Sequence, residues 1–404
     1  MNTFGSLYRY ECKKIWDRKL TKVSFALCLV LVIIMGTVRL FGDYVVDGEV
    51  IGSVYDEIRV DQSYAKKFDN REINQQLLEE MVTAYRKVPD TPGKHYSNSP
   101  EYQKYARPYS EIFNFVVGST DLLPSDVFLN WEPNEQDLYE RRNIWLQKNW
   151  DNMKLSESEI NFWQQRESKI EKPIVFQQHE GYSQMFLGYQ TIAFLVILFV
   201  STALSGIFPE EHSRRTDQLV LSSPMGRKKL YWAKITAGIS YATVATLAFF
   251  TLISLLTFSL YGNEGFGAAF QLHYQSNSDP ITCGQALLIA YANMLIAAIF
   301  VSIMVMILSE LLHSSMAALA ISAGMLIASM VVSVPEYYRG IAQIWNWLPW
   351  SFLAPWNVFG KYTLSVFGIH LTPWQSVPLI YALLSVAVAL GGKTVYQRYQ
   401  VSSR

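Results

Sequence analysis

Few residues in this chain stand in a pattern that could carry out covalent chemistry. The six histidines (His95, His179, His212, His273, His313 and His370) are scattered along 404 residues. The three cysteines, Cys12, Cys28 and Cys283, form no CxxC pair and have no histidine at metal-ligand spacing. Neither HExxH nor GxSxG occurs. Gly391-Gly392-Lys393-Thr394 resembles the end of a phosphate-binding loop, but the first glycine of such a loop would fall at position 387, which is Ala387. That tetrapeptide reads as a helix end with a snorkelling lysine. One stretch is different. FPEEHSRRTDQLVLSSPMGRKKLYWAK, from Phe208 to Lys234, sets six basic and three acidic residues around Leu219-Val220-Leu221 and Pro224. Its chemistry would be ionic and non-covalent: a short charged helix with an apolar ridge, suited to a socket on a soluble partner.

Apolar runs must position that stretch. Six of them, 23–42, 186–208, 235–260, 286–308, 316–334 and 372–391, read as long enough to cross a bilayer, which takes roughly 20 residues of helix. The fold class expected is therefore an all-α polytopic membrane protein with six transmembrane helices. The first run follows 22 residues and is not trailed by an A-x-A-like site, so it reads as a retained helix and not a signal peptide. Basic residues set the orientation. Arg9, Lys13, Lys14, Arg18, Lys19 and Lys22 precede the first run. Arg214, Arg215, Arg227, Lys228, Lys229 and Lys234 lie in 209–234, whereas 261–285 has no Lys or Arg. Both termini, the segments 209–234 and 309–315 and the tail 392–404 are thus expected in the cytoplasm, with 43–185, 261–285 and 335–371 outside. The expected location is the plasma (cytoplasmic) membrane.

Within residues 1–22, Phe4, Leu7, Tyr8, Cys12, Ile15 and Trp16 recur at helical spacing opposite Arg9, Lys13, Lys14, Asp17 and Arg18, which predicts an amphipathic helix in the headgroup plane. Residues 43–185 carry 25 Asp/Glu against 16 Lys/Arg and form a mainly helical extracellular domain with enough chain for its own core. Tyr64, Phe68, Leu77, Met81, Tyr85 and Val88 predict one helix there. Leu138, Ile144, Trp145, Trp150 and Met153 predict another, and a capping box, Ser156-x-x-Glu159, starts a third. The segment 88–100 reads as a loop. In 335–371, Trp345, Trp347, Trp350 and Trp356 around Pro349 and Pro355 suggest interfacial half-helices. Arg39 and Glu310 sit near the ends of their runs, within snorkelling reach of water.

The charged stretch resembles the cytoplasmic loop of ABC-2 type transporter permeases, the membrane subunits of type V ABC exporters. Glu211, Thr216, Leu219, Leu221, Ser223-Pro224, Arg227 and Lys234 fall in the places of that family's pattern, and Arg215 stands where the family usually has glycine. The amphipathic N-terminal helix is similar to the family's elbow helix, and a large outside insertion between the first two spans is similar to its drug and lipid exporter branch. The resemblance implies a non-catalytic subunit that pairs with a second permease and binds separate P-loop ABC ATPase subunits. It also implies a coupling loop that includes Glu210, Glu211, Arg214, Arg215, Thr216, Leu219, Leu221, Pro224 and Arg227, and export of an amphipathic or hydrophobic peptide, drug or lipid. No cofactor is expected in this chain, since ATP-Mg would sit on the partner; besides those subunits and the lipid bilayer, no nucleic-acid partner is expected. A different class remains open: a membrane-anchored sensor or scaffold whose extracellular helical domain binds a ligand.

Overall fold

Every apolar run folds as helix, and most of the helices outlast their apolar cores. The structure is a computed structural model that describes residues 3–89, 97, 99–125, 131–213 and 228–398. Among the described residues, five helical segments are long and apolar enough to cross a membrane: Lys19–Phe41, Glu180–Glu211, Lys229–Tyr261, Cys283–Leu312 and Pro373–Gln397. The run 316–334 differs. It gives the helix Ser315–Val331, 17 residues capped by Ser314, whose hydroxyl accepts from Ala317 N–H at 3.2 Å. Seventeen residues span about 25 Å at 1.5 Å each, short of the roughly 30 Å of a bilayer's hydrocarbon core. The chain turns extended at Val332, three residues before Pro335, whose ring disfavours helix in the residue ahead of it. Besides helices, the described residues hold two antiparallel hairpins that the expected all-α class did not include, Asp43–Val46 with Glu49–Ser53 and Leu364–Val366 with Ile369–Leu371.

The chain divides into two units. The first comprises Met1–Ile34, Gly188–Ser254 and Ile289–Arg404. Its N-terminal helix, Thr3–Asp17, is broken from Lys19–Thr37 at Arg18 alone. Aromatic rings knit the helices. Phe25 lies 5.8 Å from Phe199 and 5.7 Å from Phe249, centroid to centroid, and these two are 5.5 Å apart edge to face. Three buried hydroxyl contacts join neighbouring helices. Tyr189 donates to Ala290 O at 2.7 Å, Tyr231 to Ala389 O at 2.5 Å, and Ser201 and Ser322 share a bond of 2.8 Å. Gly392 is a packing site: a Cβ there would stand 2.3 Å from Ile307 Cδ1, whereas one at Gly391 would meet nothing within 4 Å.

The second unit comprises Met35–Leu187 and Leu255–Leu288. The helix expected over 64–88 is two helices, Val54–Phe68 and Gln75–Tyr85. The break is made by backbone pairing: Asn70 turns left-handed at φ 62°, Phe176 N–H donates to Arg71 O at 2.7 Å, and Ile73 N–H to Ile174 O at 2.8 Å. Asn74 then caps the second helix. Glu135–Asn152 forms as expected and buries Leu138 and Trp150, but its inward face also takes Leu146 and Arg142, leaving Ile144 exposed. The Ser156 capping box is present before Glu157–Glu167, the Glu159 carboxylate accepting from Ser156 N–H at 2.9 Å. Leu77, Leu78, Met81, Phe115 and Trp163 are fully buried, each worth about 1.5–3 kcal/mol relative to exposure. Most of the expected loop 88–100 lies outside the described residues.

Candidate functional site

The described ends of the charged stretch are where ionic side chains gather, all within the first unit. Glu11, Lys14 and Arg18 stand at i, i+3 and i+7 and so share one face of the N-terminal segment. Lys234, in the second turn of Lys229–Tyr261, is completely buried (0% exposed), and Glu11 is 2% exposed. The Lys234 ammonium donates to Glu211 at 2.6 Å, Glu11 at 3.2 Å and the Ile207 carbonyl at 3.2 Å, which uses its three protons. The Phe208 ring centroid lies 5.7 Å away, adding a cation–π contact. Lys14 reaches the same Glu211 oxygen at 3.3 Å and Glu210 at 3.9 Å. Burial, and next the Lys234 charge, draw the Lys14 pKa below its ordinary value against the pull of Glu11, Glu211 and Glu210. Farther along, Tyr8 donates to Ser240 at 2.9 Å, extending the seam between these two helices.

Arg18 closes the other side. It donates to Glu210 at 2.6 Å, to Gly206 O at 2.6 Å and to Ala203 O at 3.2 Å, so its guanidinium serves carbonyls at the C-terminal end of Glu180–Leu204 as well as a carboxylate. A Cβ at position 206 would come within 2.9 Å of Arg18 Nη1; glycine leaves that approach free. The six groups are three cations and three carboxylates, neutral together when all are ionised. Removing a fully buried member, Lys234 or Glu11, leaves a charge uncompensated and costs about 3–5 kcal/mol. The arrangement fixes both ends of 209–234, Glu210 and Glu211 at entry and Lys234 at exit, to one helix.

Of the residues singled out from the sequence, Glu210 and Glu211 are thus brought together with Lys234. Arg214, Arg215, Thr216, Leu219, Leu221, Pro224 and Arg227 lie outside the described residues. The roles of Glu11, Lys14 and Arg18 went unseen, although Glu11 as an acid in a basic helix, three and seven residues before two cations, was a legible ion stripe. Other candidates have structural surroundings. Arg39 donates to Gln184 at 3.0 Å, while Glu310, expected to reach water, is only 1% exposed. His273 stacks on Phe186 at 5.0 Å, and burial, with His179 nearby, pulls its pKa down to about 4. His179 Nδ1 pairs with Gln177 O at 2.9 Å. Among the described residues, no three His, Cys, Asp or Glu side chains come together as a metal site.

The family model described as ABC-2 family transporter protein matches residues 7–392, nearly the whole chain and both units. This chain belongs to the ABC-2 transporter family. No curated protein and no solved structure matches it. The permease is accordingly a multi-pass membrane protein and a membrane transport component, of a family that works with ABC ATPase partners.

Proposed function

We propose that this permease is the membrane half of an ATP-driven exporter, and that 209–234 is its coupling segment. Two permease subunits, identical or related, pair and bind two ATPase subunits that hold ATP-Mg. The middle of the segment, with Arg214, Arg215, Thr216, Leu219, Leu221, Pro224 and Arg227, faces the ATPase, and Glu210 and Glu211 anchor it. The observation that carries this reading is the buried ionic cluster fastening both ends of the segment to the N-terminal helix. A push on a segment held this way moves the N-terminal helix and the two helices flanking the segment together, because releasing any one buried charge is costly. Positive-inside charge supports cytoplasmic termini and an outside location for 43–185. The cargo is an amphipathic or hydrophobic peptide, drug or lipid.

A second reading, a membrane-anchored sensor or scaffold, draws on the second unit. A cavity of about 130 Å³ there is lined by Asp61, Tyr64, Phe68, Glu111 and Glu180 among others. The two readings part in one experiment. Permease co-purified with its ATPase is compared with an Arg227→Glu variant for ATP turnover and for stoichiometry. The export reading expects normal abundance of the variant with altered turnover or ATPase loss; unchanged turnover and stoichiometry would contradict it.

A further inference from the structure

The hairpin Leu364–Val366/Ile369–Leu371 ends two residues before Pro373, where the last long apolar helix begins. Its register pairs Leu364 with Leu371, Ser365 with His370 and Val366 with Ile369. Leu364, Val366, Ile369 and Leu371 therefore share one face, apolar throughout, with Ser365 and His370 on the other. Phe367 and Gly368 make the two-residue turn at φ 51° and 81°. Such a turn favours Asn-Gly or Asp-Gly, and a bulky residue in the left-handed region is strained. Here phenylalanine occupies it and is fully exposed (102%), with Val366 and Ile369 also exposed beside it. A soluble hairpin gains nothing from that choice.

The root, by contrast, is tied down. Thr363 and His370 share a hydrogen bond of 3.0 Å, Gln343 donates to Thr363 O at 3.3 Å, and Thr372 N–H donates to Gln375 at 3.1 Å at the start of the last helix. Gln343 belongs to the short helix Arg339–Asn346, whose Ile341 and Ile344 are exposed one turn apart. From 340 to 372 the only formal charge is Lys361, which is buried. The exposed surface of this stretch thus carries apolar and aromatic side chains without a charge. Three-residue strands reach about 10 Å, and a bilayer's headgroup layer is roughly 5–8 Å deep on each side. A hairpin rooted at the end of a spanning helix stays within or next to the headgroup layer.

We infer that this hairpin is a lipid-inserting finger: Phe367 and the Val366/Ile369 face enter the acyl chains of the leaflet at the N-terminal end of the last helix. The occupant is the bilayer because the apolar face continues directly into a membrane-spanning helix. The finger would hold the outer end of that helix at a fixed depth. In the orientation proposed above, the leaflet is the outer one, but insertion itself does not depend on that orientation.

The test uses the full chain with Cys12, Cys28 and Cys283 replaced, a nitroxide attached at Phe367→Cys, and reconstitution into phosphatidylcholine/phosphatidylglycerol nanodiscs. Collisions with oxygen and with a water-soluble nickel chelate are compared with those at Glu132→Cys, an exposed site of the second unit. Insertion predicts a loss of nickel accessibility and a gain of oxygen accessibility at 367 relative to 132. Free access of nickel at 367 would overturn the inference in favour of a finger in water, and shielding from both reagents would overturn it in favour of a protein contact. Should the cysteine-free chain fail to fold, fluorinated phenylalanine at 367 in the natural background gives the same reading from fluorine NMR, through broadening by paramagnetic lipid or by the aqueous chelate.

Discussion

Two buried cations, one in each unit, are held in opposite ways. Arg142, buried on Glu135–Asn152, donates to Glu167 at 3.0 and 3.3 Å, to Gln275 O at 2.5 Å and to Asn277 O at 3.0 Å, while Lys172 braces Glu167 at 3.1 Å. Burial alone would raise the Glu167 pKa, but the Arg142 charge and hydrogen bonds, followed by those of Lys172, hold it below its ordinary value. The planar fork satisfies one carboxylate and two backbone carbonyls at once, a geometry that tolerates little displacement. Lys234 instead offers a compact charge with rotatable protons to two carboxylates, and Lys14 shares one of them. Its partners can exchange as backbones shift. The first cation rivets a loop to a helix; the second makes a joint, as a segment that relays motion requires.

The largest effects separate rivet from joint. Lys234→Met takes the paired cation from buried Glu11, Arg142→Met leaves buried Glu167 with Lys172 alone, and each should cost about 3–5 kcal/mol, read as lost folded protein in detergent. Neutralising the stranded acids should then discriminate. Glu11→Gln alone is expected to restore much of the Lys234→Met loss, since two cations then face two carboxylates, Lys14 keeps Glu211 and only the Ile207 carbonyl remains unserved. Glu167→Gln should restore less of the Arg142→Met loss, because two carbonyls stay unpaired. Equal recovery in the two cases would break the comparison.

A middle-sized effect is expected at Arg18. Arg18→Ala removes the donors to Glu210 and to two helix-end carbonyls in a half-buried site, at about 1–3 kcal/mol. Thermal unfolding of the purified permease should show it, and coupling to ATP turnover should weaken beyond what the lost stability explains. Arg18→Lys, which keeps the charge but loses the fork, should recover only part.

A smaller, pH-dependent effect lies in the second unit. Burial, with Glu180 and Asp61 nearby, pushes the Glu111 carboxyl up to about 7. The folded state then keeps a proton that the unfolded chain has released, so the stability this group contributes is full below its ordinary pKa and is lost as pH rises through about 7. His273 works the other way, losing stability as pH falls from its ordinary value toward about 4. The difference between Glu111→Gln and the natural chain isolates the first group. The variant should gain relative melting temperature between about pH 5 and about pH 8, and a flat difference would contradict the shift. Smallest of all, Phe367→Ser should change stability by no more than about 0.5 kcal/mol, as exposed positions do.

How far these regions could be read from the sequence follows from the range of the forces involved. Apolar runs announce helices because burial in lipid or core acts on whole segments, and the Ser156-x-x-Glu159 box announces a helix start because its bonds span three residues. The split at Asn70 was hidden because its cause is pairing with Ile174 and Phe176, about a hundred residues away. The shortness of Ser315–Val331 was hidden because Val332–Val334 are as apolar as the helix they leave. Glu210 and Glu211 stood out as acids in a basic stretch, but their engagement with Lys14, Arg18 and Lys234 depends on helices meeting in space. The hairpin 364–371, with Phe-Gly at its turn, lacks the usual Asn-Gly signal, so in sequence it is indistinguishable from the interfacial stretch around it.

The most direct test of the central claim is isolation of the permease from gently solubilised native membranes through a tag after position 404, with residues 214–227 either natural or replaced by a neutral linker. The replacement leaves Glu210, Glu211 and Lys234 in place, so the ionic cluster and the fold should survive. The account predicts that a P-loop ATPase accompanies the natural chain in stoichiometric amount and is lost from the linker variant at equal abundance. An ATPase retained in full by the variant, or absent from abundant, well-folded natural permease, would contradict it.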